Sequence, residues 1–391
     1  MYKLNEFAAL LQTCALPAQW VSSGYPVLIY GAGGTGKSAV RYLKERGAEI
    51  AGFLDATAKP GQRLAEFPVS TLEDWLTRYD PANHEVFIAI SNNFFLPQMP
   101  ALRRKIAEAG FARCTYRPYE LARIVAEDVM NRFENAKQHY ERSLSELARL
   151  DALLADEESR LCLMNYIRMH CEEKETQYYN GTDQYRPSGL PAWPQPLRFI
   201  DGGAYTGDTL ADLSQHGYRL DAIAAFEPDM ENVQHLISNS AVYENIIRFP
   251  CALGSKMRNL LFRAEGNGSA HITEKGTHHT QCVTLDDVLP SFCPNLIKMD
   301  IEGAELEALM GAKNMITRHR PHLAICLYHH PEHLWRIPLL LDEWQLGYRF
   351  YLRQHQPVLE LVLYAYPDER PDFVQQTSAV PGEPCNGEPS Q

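Results

Sequence analysis

The chain has 391 residues, 45% of them hydrophobic and 22% charged, which is long enough for two globular domains with sizeable cores. Its net charge of −12 argues against a nucleic-acid or anionic-membrane surface, and no stretch approaches the roughly 20 apolar residues of a membrane span. Nine cysteines without a C-x-x-C pair indicate mostly reduced thiols. Residues 1–25 are a poor signal peptide and are predicted to form an N-terminal helix, so we expect a cytoplasmic protein.

Residues 26–120 are predicted to form a small Rossmann-like α/β domain with a parallel sheet, because short apolar strands alternate with helical segments. The predicted elements are strands at 27–30, 50–54 and 85–90 and helices ending at Lys44 and Gly110.

The turn G-A-G-G-T-G-K-S at 31–38 matches both a Rossmann pattern, G-x-G-x-x-G, and a P-loop pattern, G-x-x-x-x-G-K-S. Asp55 ends the following strand, where a ribose-binding acid belongs in a Rossmann unit, and no later strand of this domain ends in a magnesium-binding acid. We therefore favour a Rossmann nucleotide site. Its candidate residues are Gly31, Gly33, Gly36, Lys37 and Asp55.

Over about residues 26–118 this domain resembles the small nucleotide-binding domains in front of bacterial sugar acyltransferases. The resemblance lies in V-L-I-Y-G-A-G-G-T-G-K-S, G-F-L-D and F-P-V-S-T-L-E-D-W. It implies a site for a nucleotide or nucleotide sugar, and an empty scaffold that only packs against its neighbour is the alternative.

Residues 121–196 are predicted to form a helical connector and a lid. Apolar residues recur at helical spacing from Leu121 to Leu150, which predicts one long amphipathic helix, and a second helix is expected from near Asp156. Prolines and glycines at 178–196 break the pattern and predict a linker or lid.

Residues 197–367 are predicted to form a second, larger doubly wound α/β domain, followed by a mobile polar tail at 368–391. The last two strands are separated by a short break, which predicts a hairpin and an antiparallel strand in a parallel sheet. The predicted strands lie at 197–201, 222–227, 246–250, 296–301, 323–328, 348–353 and 359–364.

Carboxylates follow three of these strands, at Asp201, Glu227 and Asp300, and a second glycine-rich turn at 199–209 also contains Asp208. The carboxyl ends of parallel strands bind ligands in open α/β sheets, and several acids at that edge would repel a pyrophosphate. S-adenosylmethionine has no phosphate, carries two cationic groups and offers a ribose diol to a carboxylate such as Glu227. This edge is therefore predicted to bind S-adenosylmethionine.

Residues 121–366 resemble the FkbM-type S-adenosylmethionine-dependent methyltransferases. The motifs that carry the resemblance occur in order: D-G-G-A-Y-T-G-D-T at 201–209, A-F-E-P-D at 225–229, V-T-L-D-D at 283–287, K-M-D-I-E-G-A-E at 298–305 and R-P-H-L-A-I-C-L-Y-H-H at 320–330. The resemblance implies a seven-stranded methyltransferase sheet, O-methylation of a hydroxyl and a bacterial setting in which sugars or polyketides are common acceptors. The residues it implies for cofactor binding are Asp201, Gly203, Ala204, Gly207, Asp208, Thr209, Glu227 and Ala252, with Cys251 and Leu253 beside the adenine.

The acceptor hydroxyl must lose a proton, and His329 or His330 is the predicted base because the pKa of histidine suits that role at neutral pH. Asp300 is expected to orient the acceptor or the cofactor. Glu302 is a further candidate, with capping of the next helix as its alternative role. A metal held by Asp300 with residues of H-H-P-E-H at 329–333 is conceivable, but the motif lacks a decisive ligand spacing, so no metal is predicted.

The favoured function is an O-methyltransferase for a small-molecule or carbohydrate acceptor, with no nucleic-acid or membrane partner. The sequence does not determine the oligomeric state. The alternatives are an NAD(P)-dependent oxidoreductase, a nucleotide-sugar-binding protein that uses the N-terminal domain, and a non-catalytic sensor of S-adenosylmethionine. The first domain is short and has no evident catalytic pair, which weakens the oxidoreductase alternative.

Overall fold

A computed structural model describes residues 4–14, 20–90, 98–111, 113–172, 183–263, 271–272 and 278–368. The chain begins with helix α1, Leu4–Thr13, and then forms a six-stranded sheet, a run of helices and a seven-stranded sheet. The predicted class, two α/β units joined by helices, is confirmed. No helix of the described ranges combines the length and apolarity that crossing a membrane requires. The predicted tail lies almost entirely outside the described residues.

The N-terminal domain is a parallel sheet with one antiparallel edge strand, in the order β3-β4-β2-β1-β5-β6. Its central strands β1 and β5 are buried on both faces, and apart from Glu85 their residues are apolar. The strands are β1 Val27–Tyr30, β2 Ile50–Leu54, β3 Arg63–Leu64, β4 Phe67–Ser70, β5 Glu85–Ile88 and β6 Arg113–Thr115. The helices are α2 Gly34–Lys44, α3 Leu72–Leu76 and α4 Met99–Glu108.

The connector consists of five helices, so the prediction of one long helix after Leu121 is wrong. The backbone leaves the helical conformation at Ala126, between 133 and 135, and at Ser143. The helices are α5 Pro118–Val125, α6 Glu127–Arg132, α7 Ala136–Arg142, α8 Leu144–Leu153 and α9 Glu157–Glu172. After these breaks α6 to α9 bury their apolar sides in one core, while α5 contributes Leu121 to the core of the N-terminal domain and Ala122 to that of the second sheet.

Helix α1 packs with the connector instead of with the domain that follows it in sequence. Phe7 and Leu11 are buried in the same core as Phe133, Tyr140 and the interior of the second sheet. The helix contacts α7, α8 and α9. The first helix therefore belongs structurally to the C-terminal half of the chain.

The C-terminal domain has a seven-stranded sheet in the order β16-β17-β15-β14-β7-β8-β9. Strand β17 pairs antiparallel with both neighbours, which confirms the predicted hairpin, and the other pairs are parallel. The strands of this sheet are β7 Leu197–Gly202, β8 Leu220–Phe226, β9 Ile246–Phe249, β14 Leu296–Met299, β15 His322–Cys326, β16 Tyr348–Gln354 and β17 Leu361–Pro367.

A small four-stranded sheet, which the sequence did not predict, lies between β9 and β14 in the chain. Its strands, in the order β10-β13-β11-β12, are β10 Ala252–Leu253, β11 Arg258–Arg263, β12 His271–Ile272 and β13 His278–Val283. The remaining helices are α10 Asp208–Gln215, α11 Met230–Asn239, α12 Leu285–Val288, α13 Glu305–Met310, α14 Lys313–His319 and α15 His333–Glu343.

The order of the large sheet reverses beside its first strand. From β7 the chain proceeds outward to β8 and β9, and it later returns to β14 on the other side of β7. Ligands of doubly wound sheets bind in the crevice beyond the carboxyl ends of the strands at such a reversal. The ends of β7 and β14 therefore mark where a ligand site is expected.

Candidate functional site

A cavity of about 670 Å³ opens at the carboxyl ends of β7, β8 and β14. This volume lies within the usual range for sites that enclose a small organic ligand. Six acidic and three cationic side chains line it, so acids outnumber cations in its walls. These side chains are Asp208, Glu227, Asp300, Glu302, Glu307 and Glu360, with Arg132, Arg258 and Lys298.

The second glycine-rich turn forms one wall of the cavity. Gly203 has φ +74°, and a Cβ atom there would lie 1.8 Å from the carbonyl oxygen of Asp300, so a side chain is excluded. Gly207, at φ +88°, caps helix α10, and Asp208 is the first residue of that helix. Asp208 therefore does not cap the helix, and it lines the cavity.

Glu227 lies at the end of β8 with its side chain held by the surrounding backbone. Its Oε2 accepts from the N–H of Tyr205 at 2.9 Å, and its Oε1 accepts from the N–H of Asp229 at 2.9 Å. Burial raises the pKa of this carboxyl group. Asn232 Nδ2 also donates to Oε1 at 3.4 Å, so the remaining acceptor capacity of Glu227 for a ribose hydroxyl in the cavity lies at Oε2.

Asp201 does not reach the cavity, in contrast to its predicted place beside the methionine part of the cofactor. It is fully buried, and Lys298 Nζ lies 3.0 Å from its Oδ1. The two residues are register partners on adjacent strands, β7 and β14. Burial raises the pKa of Asp201 to about 6, although Lys298 opposes that shift. Local sequence patterns do not reveal this lysine, because its position opposite Asp201 depends on the register of two strands that are distant in the chain.

The other predicted cofactor residues divide into two groups. Ala204 is fully buried beneath the turn, and Gly207 would place a Cβ 3.2 Å from the Leu236 side chain, so both are packing positions. Of the predicted cofactor residues, those that line the cavity are Gly203, Asp208, Thr209, Glu227, Cys251, Ala252 and Leu253.

His329 is fully buried and surrounded by carboxylates. Its Nδ1 lies 2.8 Å from Glu305 Oε1, and its Nε2 lies 3.5 Å from both Asp300 Oδ1 and Glu302 Oε2. Burial lowers its pKa, but the charge of Glu305 and then those of the other two carboxylates outweigh burial and raise the pKa to about 9. A protonated imidazole cannot accept a proton, so the structure does not support His329 as the base.

His330 is half-buried and lines the cavity. Burial and then the charge of Arg132 lower its pKa to about 4, so its ring is neutral at physiological pH. Arg132 Nη1 lies 3.3 Å from His330 Nε2 and also donates to the carbonyl of His329 at 3.1 Å. Of the two predicted bases, His330 has the protonation state that the role requires.

Two segments that precede the methyltransferase-like strands also contribute to the cavity. Arg132 comes from connector helix α6, and Tyr185 comes from the predicted lid, where its hydroxyl donates to Asp300 Oδ2 at 3.1 Å. Gln184 donates to Glu360 Oε2 at 2.5 Å. The Tyr185–Asp300 contact ties the segment after residue 182 to the end of β14. Residues 178–182 of the predicted lid lie outside the described residues.

Glu302 occupies a left-handed turn and does not cap helix α13, which begins at Glu305 after Ala304. Burial raises the pKa of Glu302 to about 7. The buried Glu305 accepts from the N–H groups of Ile301 and Gly303 and so holds the turn together. The predicted capping role of Glu302 is therefore wrong, and its side chain faces the cavity.

The glycine-rich turn of the N-terminal domain is closely packed against the following helix. A Cβ at Gly36 would lie 2.0 Å from the carbonyl oxygen of Gly31, while Gly33 has open space and Lys37 is exposed. Asp55 Oδ2 accepts from the N–H of Ala32 at 2.9 Å, so this acid braces the turn. This bracing is a role that the sequence analysis did not predict for Asp55.

Comparison with known proteins identifies both domains. Residues 201–350 match the model of the methyltransferase FkbM domain, and residues 26–108 match that of the PglD N-terminal domain. The C-terminal part is an FkbM methyltransferase domain. None of the curated proteins compared matches this sequence.

Several solved structures are similar to this FkbM-domain protein. The methyltransferase FkbM from Methylobacillus flagellatus KT aligns over 93% of this chain and 99% of its own, at 20% identity and a TM-score of 0.66, which shows a shared fold. The fibrillarin pre-rRNA processing protein of Methanococcus jannaschii covers 46% of this chain and 72% of its own, at 14% identity and a TM-score of 0.29.

A third structure is similar to part of the chain only. The acetyltransferase domain of PglB from Neisseria gonorrhoeae FA1090, in complex with acetyl coenzyme A, covers 22% of this chain and 40% of its own. Its identity is 21% and its TM-score 0.19, too low for any conclusion. The FkbM domain and the shared fold together support a methyltransferase.

Proposed function

We propose that this methyltransferase uses S-adenosylmethionine to methylate a hydroxyl group of a small molecule or sugar. The observation that carries the proposal is Glu227, whose backbone-held carboxylate faces a cavity with more acids than cations. A ribose diol can donate to this carboxylate, and the acidic wall suits a donor with ammonium and sulfonium groups. The same wall disfavours a pyrophosphate.

The residues around the cavity fit the rest of that donor. Phe226, Cys251, Ala252 and Leu253 provide a mostly apolar wall for the adenine beside Glu227. Gly203 and Asp208 line the part of the cavity where the amino-acid part would lie. S-adenosylmethionine supplies an electrophilic methyl group when bound. The protein then has to position the acceptor oxygen in line with that methyl group and to remove the hydroxyl proton.

His330 is the group we propose for proton removal. Its neutral ring lines the cavity next to Asp300 and Glu302, which sit at the end of β14. Arg132 donates to Nε2, which places the proton of the neutral ring on Nδ1, so proton acceptance by His330 requires the guanidinium to move away from Nε2. Asp300 is held by the hydroxyls of Tyr185 and Tyr328, which makes it a rigid acceptor for a substrate hydroxyl.

Isothermal titration calorimetry with S-adenosylmethionine and S-adenosylhomocysteine tests the cofactor assignment. Glu227→Gln should weaken both affinities by roughly 10- to 150-fold, the value of a hydrogen bond to a charged group. Glu231→Gln, which changes an exposed carboxylate on the adjacent helix, should bind normally. Full affinity in Glu227→Gln would contradict the ribose role.

The N-terminal domain carries a second proposal, a site for a nucleotide or nucleotide sugar at the turn 31–38. The open space at Gly33 and the exposed Lys37 at the start of α2 support it, because the N-terminus of a helix presents N–H groups to a phosphate. A thermal shift with NAD or a nucleotide sugar, lost in Lys37→Ala, is the expected result. No shift with any of these ligands would favour a scaffold role.

Location, partners and assembly stay predictions. A cytoplasmic enzyme with a small-molecule or carbohydrate acceptor, and with no nucleic-acid or membrane partner, agrees with the net charge of −12. Size-exclusion chromatography with light scattering measures the oligomeric state.

A further inference from the structure

Arg132 brings a positive charge to the side of the cavity that the ends of β14 and β15 form. Its guanidinium is held there through one nitrogen, because Nη1 lies 3.1 Å from the carbonyl of His329, 3.4 Å from that of Glu302 and 3.3 Å from His330 Nε2. All three partners are neutral. Six acidic side chains line the same cavity, yet Arg132 forms no ion pair with any carboxylate of the residues that the structure describes.

The acids on this side of the cavity already have a cation in His329. Its Nε2 lies 3.5 Å from Asp300 Oδ1 and 3.5 Å from Glu302 Oε2, and its Nδ1 lies 2.8 Å from Glu305 Oε1. Burial opposes protonation of this ring, but the carboxylates, Glu305 foremost, outweigh burial and raise the pKa of His329 to about 9. The protonated ring offsets part of their charge, so Arg132 is not needed as their counter-ion.

The rest of the Arg132 guanidinium is open to a ligand. Nε and Nη2 form no hydrogen bond within the described part of the chain, and neither atom is enclosed by protein. Gly303, at φ +106°, makes room for the contact on the other nitrogen, since a Cβ atom there would lie 2.7 Å from His330 Nε2 and 2.8 Å from Arg132 Nη1. A side chain at this position would displace the pair, so the turn after β14 accommodates a fixed guanidinium with free donors.

The contact with Arg132 also keeps His330 from taking up a proton. Burial lowers the pKa of His330 first, and the charge of Arg132 lowers it further. His333, whose ring centroid lies 4.8 Å away, and His329 act in the same direction, and only Glu305 opposes them. A proton on Nε2 would place two cations 3.3 Å apart. An anion bound to the guanidinium would neutralise its charge and attract it away from this nitrogen.

We propose that Arg132 binds an anionic group, a carboxylate or a phosphate, on the methyl acceptor, and that this draws the guanidinium away from His330 Nε2. A planar guanidinium suits both groups, because it donates two parallel hydrogen bonds to them. The proposal rests on the proposed methyl transfer with His330 as its base. The proton of the acceptor hydroxyl then passes to the released Nε2, so Arg132 becomes a specificity-determining residue that frees the base only for an anionic acceptor.

This anion site is separate from the glycine-rich turn. Strand β7 lies between β14 and β8, so Arg132 faces the side of the cavity opposite Glu227. A pyrophosphate against residues 203–209 would meet Asp208 and Glu227, whereas one anionic group beside Arg132 meets a cation without an ion pair. The two statements about anions therefore concern different walls.

Titration of the full-length protein with sodium acetate, and separately with inorganic phosphate, at an ionic strength held constant with sodium chloride tests the anion site. Nitrogen NMR of histidine-labelled protein, with His330 assigned from His330→Gln, reports the protonation of Nε2. Without either anion we expect an unprotonated Nε2 and a pKa of about 4. At least one anion should bind saturably and raise this pKa toward the ordinary value of 6.5, and a response to one anion alone identifies the group.

Arg132→Gln should weaken anion binding by roughly 10- to 150-fold, the value of a hydrogen bond between charged groups. It should also raise the His330 pKa without any anion, because the neighbouring charge is gone. Arg142→Gln, at the exposed end of α7, is the matched control and should behave like the wild type. Circular dichroism confirms that each variant is folded. A His330 pKa that neither anion changes, or an equal anion response in Arg132→Gln, would overturn the proposal.

The charge of the methylated product tests the same proposal through turnover. Purified enzyme, S-adenosylmethionine with a tritiated methyl group and a deproteinised cell extract as the source of acceptors should give a labelled product that binds an anion-exchange resin. A labelled product without negative charge would overturn the proposal. Absence of any labelled product counts against the proposed methyl transfer instead, and the anion titration alone then decides on Arg132.

Discussion

Replacement of Lys298 by Met should destabilise the C-terminal domain strongly, because it leaves Asp201 buried without its partner. Both side chains are at least 96% buried, and their charged atoms are 3.0 Å apart. At an effective dielectric constant near 20, two unit charges at this distance attract by about 5–6 kcal/mol. The loss of one partner of a buried pair typically costs about 3–5 kcal/mol. We expect a decrease in unfolding free energy of that size.

The loss should depend on pH in a direction set by Asp201. Burial already raises the pKa of this carboxyl to about 6, and removal of the lysine raises it further. A folded pKa above the unfolded value of 3.8 costs stability as pH rises, so the defect should be larger at pH 8 than at pH 5. Near pH 4 the carboxyl is protonated in the folded state of both the wild type and the variant, so most of the difference between them should disappear.

Urea denaturation followed by circular dichroism measures these effects. Lys298→Met combined with Asp201→Asn should recover most of the loss, because no unpaired charge remains. Arg336→Met is the control, since it removes an ion pair of the same 3.0 Å length whose side chains are 54% and 42% exposed, and it should cost less than about 1 kcal/mol. If Lys298→Met is as stable as this control variant, or if its loss of unfolding free energy is smaller at pH 8 than at pH 5, the reasoning is refuted.

Three further predictions concern the turn, the connector and the base. Gly203→Ala should lower the melting temperature and S-adenosylmethionine affinity, whereas Gly217→Ala, at φ +83° in open space, should only lower the melting temperature modestly. Asp156→Asn should lower the free energy of unfolding by about 2–3 kcal/mol, because it removes one partner of the fully buried Arg353. The loss is limited because a second carboxylate, Glu158, lies 3.1 Å from the guanidinium. Burial opposes ionisation of Asp156, but hydrogen bonds, chiefly from Arg353, outweigh it and lower the Asp156 pKa. The loss of unfolding free energy in Asp156→Asn should therefore shrink as pH falls below about 3.8, and a loss at pH 3 equal to that at neutral pH would contradict this reasoning. His330→Ala should reduce kcat by about 10²- to 10⁴-fold without changing cofactor affinity, and unchanged kcat would exclude it as the base.

The fold was largely predictable because apolar strands and glycine turns alternate regularly in both domains. The end of β8 at Glu227 and the turn at Gly203 followed from local patterns, since strand ends and tight turns are visible over a few residues. The division of the connector into short helices was not predictable, because no proline or glycine marks the breaks at Ala126 and Ser143. The helices on either side of Ser143, α7 and α8, pack against α1, a segment more than a hundred residues earlier.

The site itself was predicted only in part because its chemistry depends on burial and register. The sequence placed Asp201 and His329 near a ligand, and both lie at the right strand ends. It did not show that Lys298 would face Asp201 across two strands, or that Glu305 would contact His329. Arg132 was also missed, because nothing in a surface-like charged helix distinguishes a residue that reaches the site.

A crystal structure of the protein with S-adenosylhomocysteine tests the central claim most directly. The account predicts the ribose hydroxyls within hydrogen-bonding distance of Glu227, the adenine against Ala252 and the amino-acid part beside Gly203. A nucleoside bound elsewhere, or a pyrophosphate lodged against residues 203–209, would contradict it.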